Sequence, residues 1–180
     1  MSLYQPIEHP DYAGQPVSQP CFERWSMMLP FLKGSTAVDV GCHTGWFCRQ
    51  FARIGWQATG YDRSRDWLDT AIAMNEFTPE PKPQYVHGNV MEMGLPECDV
   101  ALCLSVVMYL FDDYDAGWRF LDRLSQRAKM MFMDFGGMYA DKLPFTEDNV
   151  CQIMAEKTHY KTCGLIGRTD FENRPLFMLA

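Results

Sequence analysis

The segment that most constrains the fold is Thr36-Ala37-Val38-Asp39-Val40, followed without a break by Gly41-Cys42-His43-Thr44-Gly45. The first five residues form a short β-branched run between Gly34 and Gly41, the pattern of a strand buried on both faces in a parallel sheet. Beyond the turn, Phe47, Phe51 and Ile54 recur at i, i+4 and i+7, so a helix returns along one face of that sheet and Gly55 closes it. A strand that turns this sharply into a helix is the opening half of a βαβ unit, whose crossover is right-handed.

The alternation continues. Residues 57–62 read as a second strand and 64–77 as a helix capped by Ser64, with Leu68, Ala71 and Ile72 turned inward. Residues 85–87, 99–104 and 129–135 are expected as three further strands, and 112–127 as a helix presenting Phe120, Leu121 and Leu124 on one face. After a helix near 146–157 the pattern changes. Residues 161–169 and 175–179 look like two strands joined by a short polar connection, a hairpin. The expected fold is therefore α/β: a three-layer α/β/α sandwich, Rossmann-like, with a seven-stranded, mostly parallel sheet ending in an antiparallel C-terminal hairpin. Residues 1–34, with a helix over 21–29, are expected to cover the site, and residues 35–180 to form the core of a single domain.

Composition excludes several classes. No run approaches the roughly 18 apolar residues of a membrane span. The opening Met1-Ser2-Leu3-Tyr4-Gln5-Pro6 lacks the basic start and apolar stretch of a secretory signal, so a cytoplasmic location is expected. A net charge of −7 disfavours non-specific attraction to nucleic acid or to an anionic membrane. Seven cysteines without a CxxC pair fit small core side chains in a reducing compartment better than a disulfide framework.

In an open parallel sheet, ligands bind beyond the carboxyl ends of the strands where the strand order reverses. Gly41 permits the tight turn there, Gly45 permits close backbone approach, and the N–H groups opening the next helix are expected to face a carboxylate or phosphate. Asp62 ends the second strand 21 residues after Gly41 (62 − 41), close to the spacing at which a carboxylate meets ribose hydroxyls. Gly88-Asn89-Val90 follows the third strand, where an amide side chain and a backbone N–H can read a base edge. The four histidines have no metal-ligand spacing, and no metal is expected.

Taken in order, Asp39 to Gly45, Gly60-Tyr61-Asp62, His87-Gly88-Asn89-Val90 and Asp99 to Val106 resemble the successive motifs of class I S-adenosylmethionine-dependent methyltransferases. The terminal hairpin resembles that family's last strand pair. The resemblance implies S-adenosyl-L-methionine as cofactor. It implies that Asp39, Gly41, Cys42, His43 and Gly45 form the turn at its methionine part, that Asp62 and Arg63 lie at the ribose, that Asn89 and Val90 meet the adenine, and that Leu104 and Ser105 contact the amino group. His43 stands where the family usually has its middle glycine. Leu104 to Tyr109, with 164–168 and 174–177, is similar to a subgroup that includes polysaccharide chain-terminating and RNA phosphate-capping methyltransferases.

Methyl transfer is an in-line displacement, so alignment and exclusion of water matter more than a nucleophilic side chain. An oxygen or nitrogen acceptor can still need a base. Tyr109, after the fourth strand, and Asp134, ending the fifth, are the catalytic candidates. Arg24 is a candidate partner for the cofactor carboxylate, against a solvated helix face as the alternative. The expected activity is methyl transfer to an O or N nucleophile of an unidentified acceptor, with a small molecule or saccharide favoured. Two alternatives stand beside it: a non-catalytic cofactor- or protein-binding domain of the same fold, and an NAD-dependent oxidoreductase, whose G-x-G-x-x-G fingerprint is broken here by His43 and Trp46.

Overall fold

A computed structural model describes residues 3–135 and 142–180. In chain order the elements are α1 (Cys21–Met28), β1 (Thr36–Val40), α2 (Trp46–Arg53), β2 (Gln57–Asp62), α3 (Arg65–Met74), β3 (Gln84–His87), β4 (Cys98–Cys103), α4 (Val107–Leu110), α5 (Tyr114–Ser125), β5 (Ala128–Asp134), α6 (Val150–Lys157), β6 (Cys163–Arg168) and β7 (Pro175–Leu179). The strands form one sheet of order β3-β2-β1-β4-β5-β7-β6. The pairs from β3 through β5 are parallel, and β7 runs antiparallel to both neighbours. The expected three-layer α/β sandwich with its closing hairpin is the observed architecture.

The strand period of two explains how β1 holds the layers together. Val38 and Val40 face one way, into a cluster with Ala101, Cys103, Met131, Met133 and the α5 residues Phe120, Leu121 and Leu124. Ala37 faces the other way, with Val100, Leu102, Phe132 and the α2 residues Phe47 and Phe51. Each of these large side chains contributes about 1.5–3 kcal/mol by leaving water. At the amino ends of the strands, Asp99 pins the sheet: its carboxylate accepts from Ser35 N, Thr36 N and Thr36 Oγ1 at 2.8, 3.1 and 2.9 Å. These bonds and the Lys129 ammonium hold it far below the usual carboxylate range.

Four local expectations are corrected. Ile72 does not point inward: α3 buries Leu68, Ala71 and Met74, and Ile72 rolls to the exposed side. Ile54 lies beyond α2 and is also exposed. A single helical turn, α4, follows β4 in a stretch to which the sequence assigned no element, just after Ser105 at φ 54°. Finally, Cys151 on α6 and Cys163 on β6 form a disulfide across 12 residues, so two of the seven cysteines are a cross-link rather than core thiols. Cys21, Cys42, Cys48, Cys98 and Cys103 are buried thiols, as expected for small apolar side chains.

Candidate functional site

The chain leaves β1 towards β2 and β3 on one side and later continues from β4 to β5 on the other, so strand order reverses between β1 and β4. Beyond their carboxyl ends lies a cleft of about 420 Å³, within the usual range of small-molecule sites. Four stretches of chain at the strand ends build most of its walls.

The first is the turn after β1. Gly41 and Gly45 take φ of 72° and 73°, the region that favours glycine, and His43 joins them at 53°. A Cβ on Gly41 would come within 2.9 Å of Val106, and one on Gly45 would strike the Tyr85 ring. Both glycines are therefore required by close approach as well as by dihedral angle. The Gly41 and Cys42 N–H groups donate to Tyr61 O at 2.8 and 3.0 Å, which folds the turn against β2.

The second is the end of β2. Asp62 Oδ2 accepts from His43 N and Oδ1 from Ser64 N, each at 2.8 Å. One carboxylate thus fastens the turn after β1 to the start of α3, with its remaining lone pairs at the cleft. Arg63 and Ser64 line the cleft beside it. The third is Gly88 to Met91. Asn89 caps its own turn, accepting from Met91 N at 3.2 Å and donating to Glu92 Oε1 at 2.7 Å, and Val90 supplies an apolar wall. The fourth is Leu104 to Leu110, which brings Leu104, Ser105, Val106 and the half-exposed Tyr109 to the cleft.

Some of the candidates support the site from beneath. Asp39 and Cys42 are buried under the turn, where Cys48 Sγ lies 3.8 Å from Asp39 Oδ2. Gly45 is the N-cap of α2. Arg24 and Asp134 form an ion pair, with side chains only 2% and 1% exposed. Asp134 also accepts from Ser105 N, and Arg24 Nη2 donates to Ser105 Oγ at 2.8 Å. Neither the solvated face considered for Arg24 nor an open, substrate-facing position for Asp134 describes this arrangement: the two are joined beneath Ser105. The expectation that the α2 N–H groups face a ligand is also revised, because Gln5 Oε1 accepts from Trp46 N and from Thr44 Oγ1, each at 3.2 Å.

Three side chains at or beside the site were not anticipated. Tyr4 and Trp67 line the cleft and flank the His43 ring, with centroids 4.6 and 4.2 Å away. Arg174, from the β6–β7 connection, donates to Ser105 Oγ at 3.1 Å and pairs with Glu172. The signal available for Trp67 was its position one turn into α3, directly after the Asp62 motif. Nothing in the polar, proline-bearing lead marked Tyr4.

Burial sets the protonation states. It pushes Asp39 up to about 8, helped by the neighbouring Asp62 carboxylate, and it pushes His43 down to about 4 against the opposing pull of Asp62. His43 is a neutral ring at pH 7. The folded state therefore holds a proton on Asp39 that the unfolded chain, with an ordinary value of 3.8, has released, and stability falls as pH rises between those values. His43 has the opposite sign between about 4 and 6.5, where the unfolded chain binds more protons and stability rises with pH. The two oppose each other up to pH 6.5, leaving the Asp39 effect visible from there to about 8. The unfolding free energy from urea titrations is expected to fall over that window, by at most about 1.4 kcal/mol per pH unit, and to stay level in Asp39→Asn. An equal fall in the variant would assign the proton elsewhere.

The sequence matches a family described as a methyltransferase domain over residues 38–133, from β1 through β5. The chain belongs to this family, and its fold is that of the Rossmann-like S-adenosylmethionine-dependent methyltransferases. Among solved structures, WbdD superposes with a TM-score of 0.79 at 20% identity over 99% of this chain and 44% of that one. WbdD is described as a bifunctional kinase-methyltransferase, and this chain spans less than half of its length. Magnesium protoporphyrin IX methyltransferase (ChlM) from Synechocystis PCC 6803, solved with bound S-adenosylmethionine, superposes with a TM-score of 0.66 at 17% identity over 89% of this chain and 76% of that one. A search of curated proteins finds no match.

Proposed function

We propose that the protein is an S-adenosyl-L-methionine-dependent methyltransferase that transfers a methyl group to an oxygen or nitrogen nucleophile, with a small molecule or a saccharide as acceptor. The observation that carries this reading is the Asp62 carboxylate, held by two backbone N–H groups at the mouth of a glycine turn at the point where strand order reverses. The cofactor supplies an activated methyl on a sulfonium.

The residues present fit that group. Gly41 leaves backbone bare where a Cβ would crowd Val106. Asp62 is the acceptor for the two ribose hydroxyls, with Arg63 beside it. Asn89, already committed to its cap, shapes the backbone around the adenine, and Val90 covers the face of that ring. Leu104 backbone and Ser105 lie at the amino-acid end, where Arg24 and Asp134 fix Ser105 from below. Arg24 and Asp134 act as positioning residues, and Tyr109 is the group placed to meet the acceptor.

Thermal unfolding with added ligand tests the assignment. Ligands that bind only the native state stabilise it by RT ln(1 + [L]/Kd), about 2.7 kcal/mol at a hundred times Kd. For a domain of this size S-adenosylhomocysteine is expected to raise Tm by about 5–10 °C at that concentration, and NAD to leave it unchanged. Stabilisation by NAD alone would replace the methyltransferase reading with the oxidoreductase one. Binding of S-adenosylhomocysteine without turnover, in a screen of acceptors with labelled cofactor, would favour the non-catalytic alternative.

A further inference from the structure

The first residues of the described chain are tied to the domain beside the cleft, and Tyr4 among them lines it. Leu3 pairs with Val17, through Leu3 N to Pro16 O at 2.8 Å and Ser18 N to Leu3 O at 2.7 Å. Gln5 accepts the Thr44 and Trp46 donors at the start of α2. Glu8 is clamped by Arg53 at 2.6 and 2.8 Å and by Arg49 at 3.3 Å, and the Arg49 guanidinium also reaches Thr44 O at 2.6 Å and Pro6 O at 3.3 Å. Residues 3–8 are thus a strap tied down on both sides of Tyr4, whose ring lines the cleft and packs on His43.

Tyr4 joins two regions that the proposed function assigns to the ribose and to the amino-acid part of one ligand. It lines the same cleft as Ser105, at the amino-acid end. Its ring packs on His43, whose N–H is held by Asp62 at the ribose end. Between these parts of S-adenosylmethionine lies the sulfonium, and an aromatic face attracts a cation through its quadrupole. The phenol is neutral at pH 7, and desolvation raises it further above its ordinary value of 10, so it adds no charge that would favour the ligand by another route.

We infer that Tyr4 is a cofactor-positioning residue whose ring forms the wall of the cleft against the sulfonium, so that the strap at residues 3–8 discriminates the sulfonium cofactor from its thioether product. This rests on the methyltransferase reading above. An aromatic at that point weakens product relative to substrate, which helps S-adenosylhomocysteine leave after transfer.

Calorimetric titration of the full chain with S-adenosylmethionine and with S-adenosylhomocysteine tests it in Tyr4→Phe, Tyr4→Leu and Tyr12→Leu variants. Tyr4→Leu keeps apolar bulk and removes the π face. It is expected to weaken the sulfonium ligand about two- to thirtyfold more than the thioether. Tyr4→Phe keeps the face and is expected to hold the ratio of the two affinities within about twofold of the parent protein. Tyr12→Leu, on a ring further along the chain that does not line the cleft, is expected to bind both as the parent does. Equal weakening of both ligands by Tyr4→Leu, or no weakening, overturns the inference while leaving the methyltransferase reading in place. A parent protein that binds neither ligand overturns both.

Discussion

Arg24→Ala is expected to lower folding stability by about 3–5 kcal/mol, because it leaves the Asp134 carboxylate buried and without its counter-charge. The side chains are only 2% and 1% exposed, so solvent screening does not reduce the effect as it does for surface pairs. The loss also spreads through the network, since Ser105 Oγ gives up its 2.8 Å donor and the N–H of Ser105 stays on a carboxylate that has become costly to keep charged. For a chain of this length the change corresponds to roughly 6–20 °C in Tm. Asp134→Ala should be comparable, exposing Arg24 to the same penalty from the other side. The double variant Arg24→Met/Asp134→Leu should recover much of the loss, because replacing a whole buried pair by apolar groups is often neutral. Urea unfolding of the three variants without cofactor separates this from ligand binding. A loss below about 1 kcal/mol in Arg24→Ala would mean that water reaches the pair, and Arg24 would return to being a free cation available to a carboxylate.

What was legible in the sequence, and what was not, follows from how far apart the interacting residues are. The run from Thr36 to Gly45 declares itself because strand, turn and helix are local and each has its own period. Asp62 is legible because the length of a helix fixes its distance from Gly41. The pairing of Arg24 with Asp134 spans 110 residues (134 − 24) and depends on α1 folding back over the ends of β4 and β5, which no local pattern records. Tyr4 was hidden for the same reason: a polar lead with prolines looks like an unattached end until Gln5 and Glu8 find their partners on α2. Cys151 and Cys163 meet only because α6 lies against β6, the outer strand of the sheet. Ile72 was misplaced by a period argument taken one position too far round a helix whose buried stripe is narrow.

Asp62→Ala is expected to reduce affinity for S-adenosylhomocysteine at least a hundredfold. Two charge-assisted hydrogen bonds to the ribose hydroxyls, at about 1.5–3 kcal/mol each, account for that much. The free protein adds to it, because the same carboxylate holds His43 N and Ser64 N at 2.8 Å, and without it the turn after β1 and the start of α3 lose their common anchor. Asp62→Asn should not rescue binding. An amide presents one oxygen and one NH2, so it cannot accept from both N–H groups, and one contact becomes donor against donor. Glycine turn and helix start thus depend on one side chain, the same one to which the proposed function gives the ribose. A double-mutant cycle isolates the ribose part: adenosine and 2′-deoxyadenosine should differ in affinity for the parent protein and converge in Asp62→Ala. If the two nucleosides remain as far apart in the variant as in the parent, the ribose lies elsewhere and Asp62 serves the turn alone.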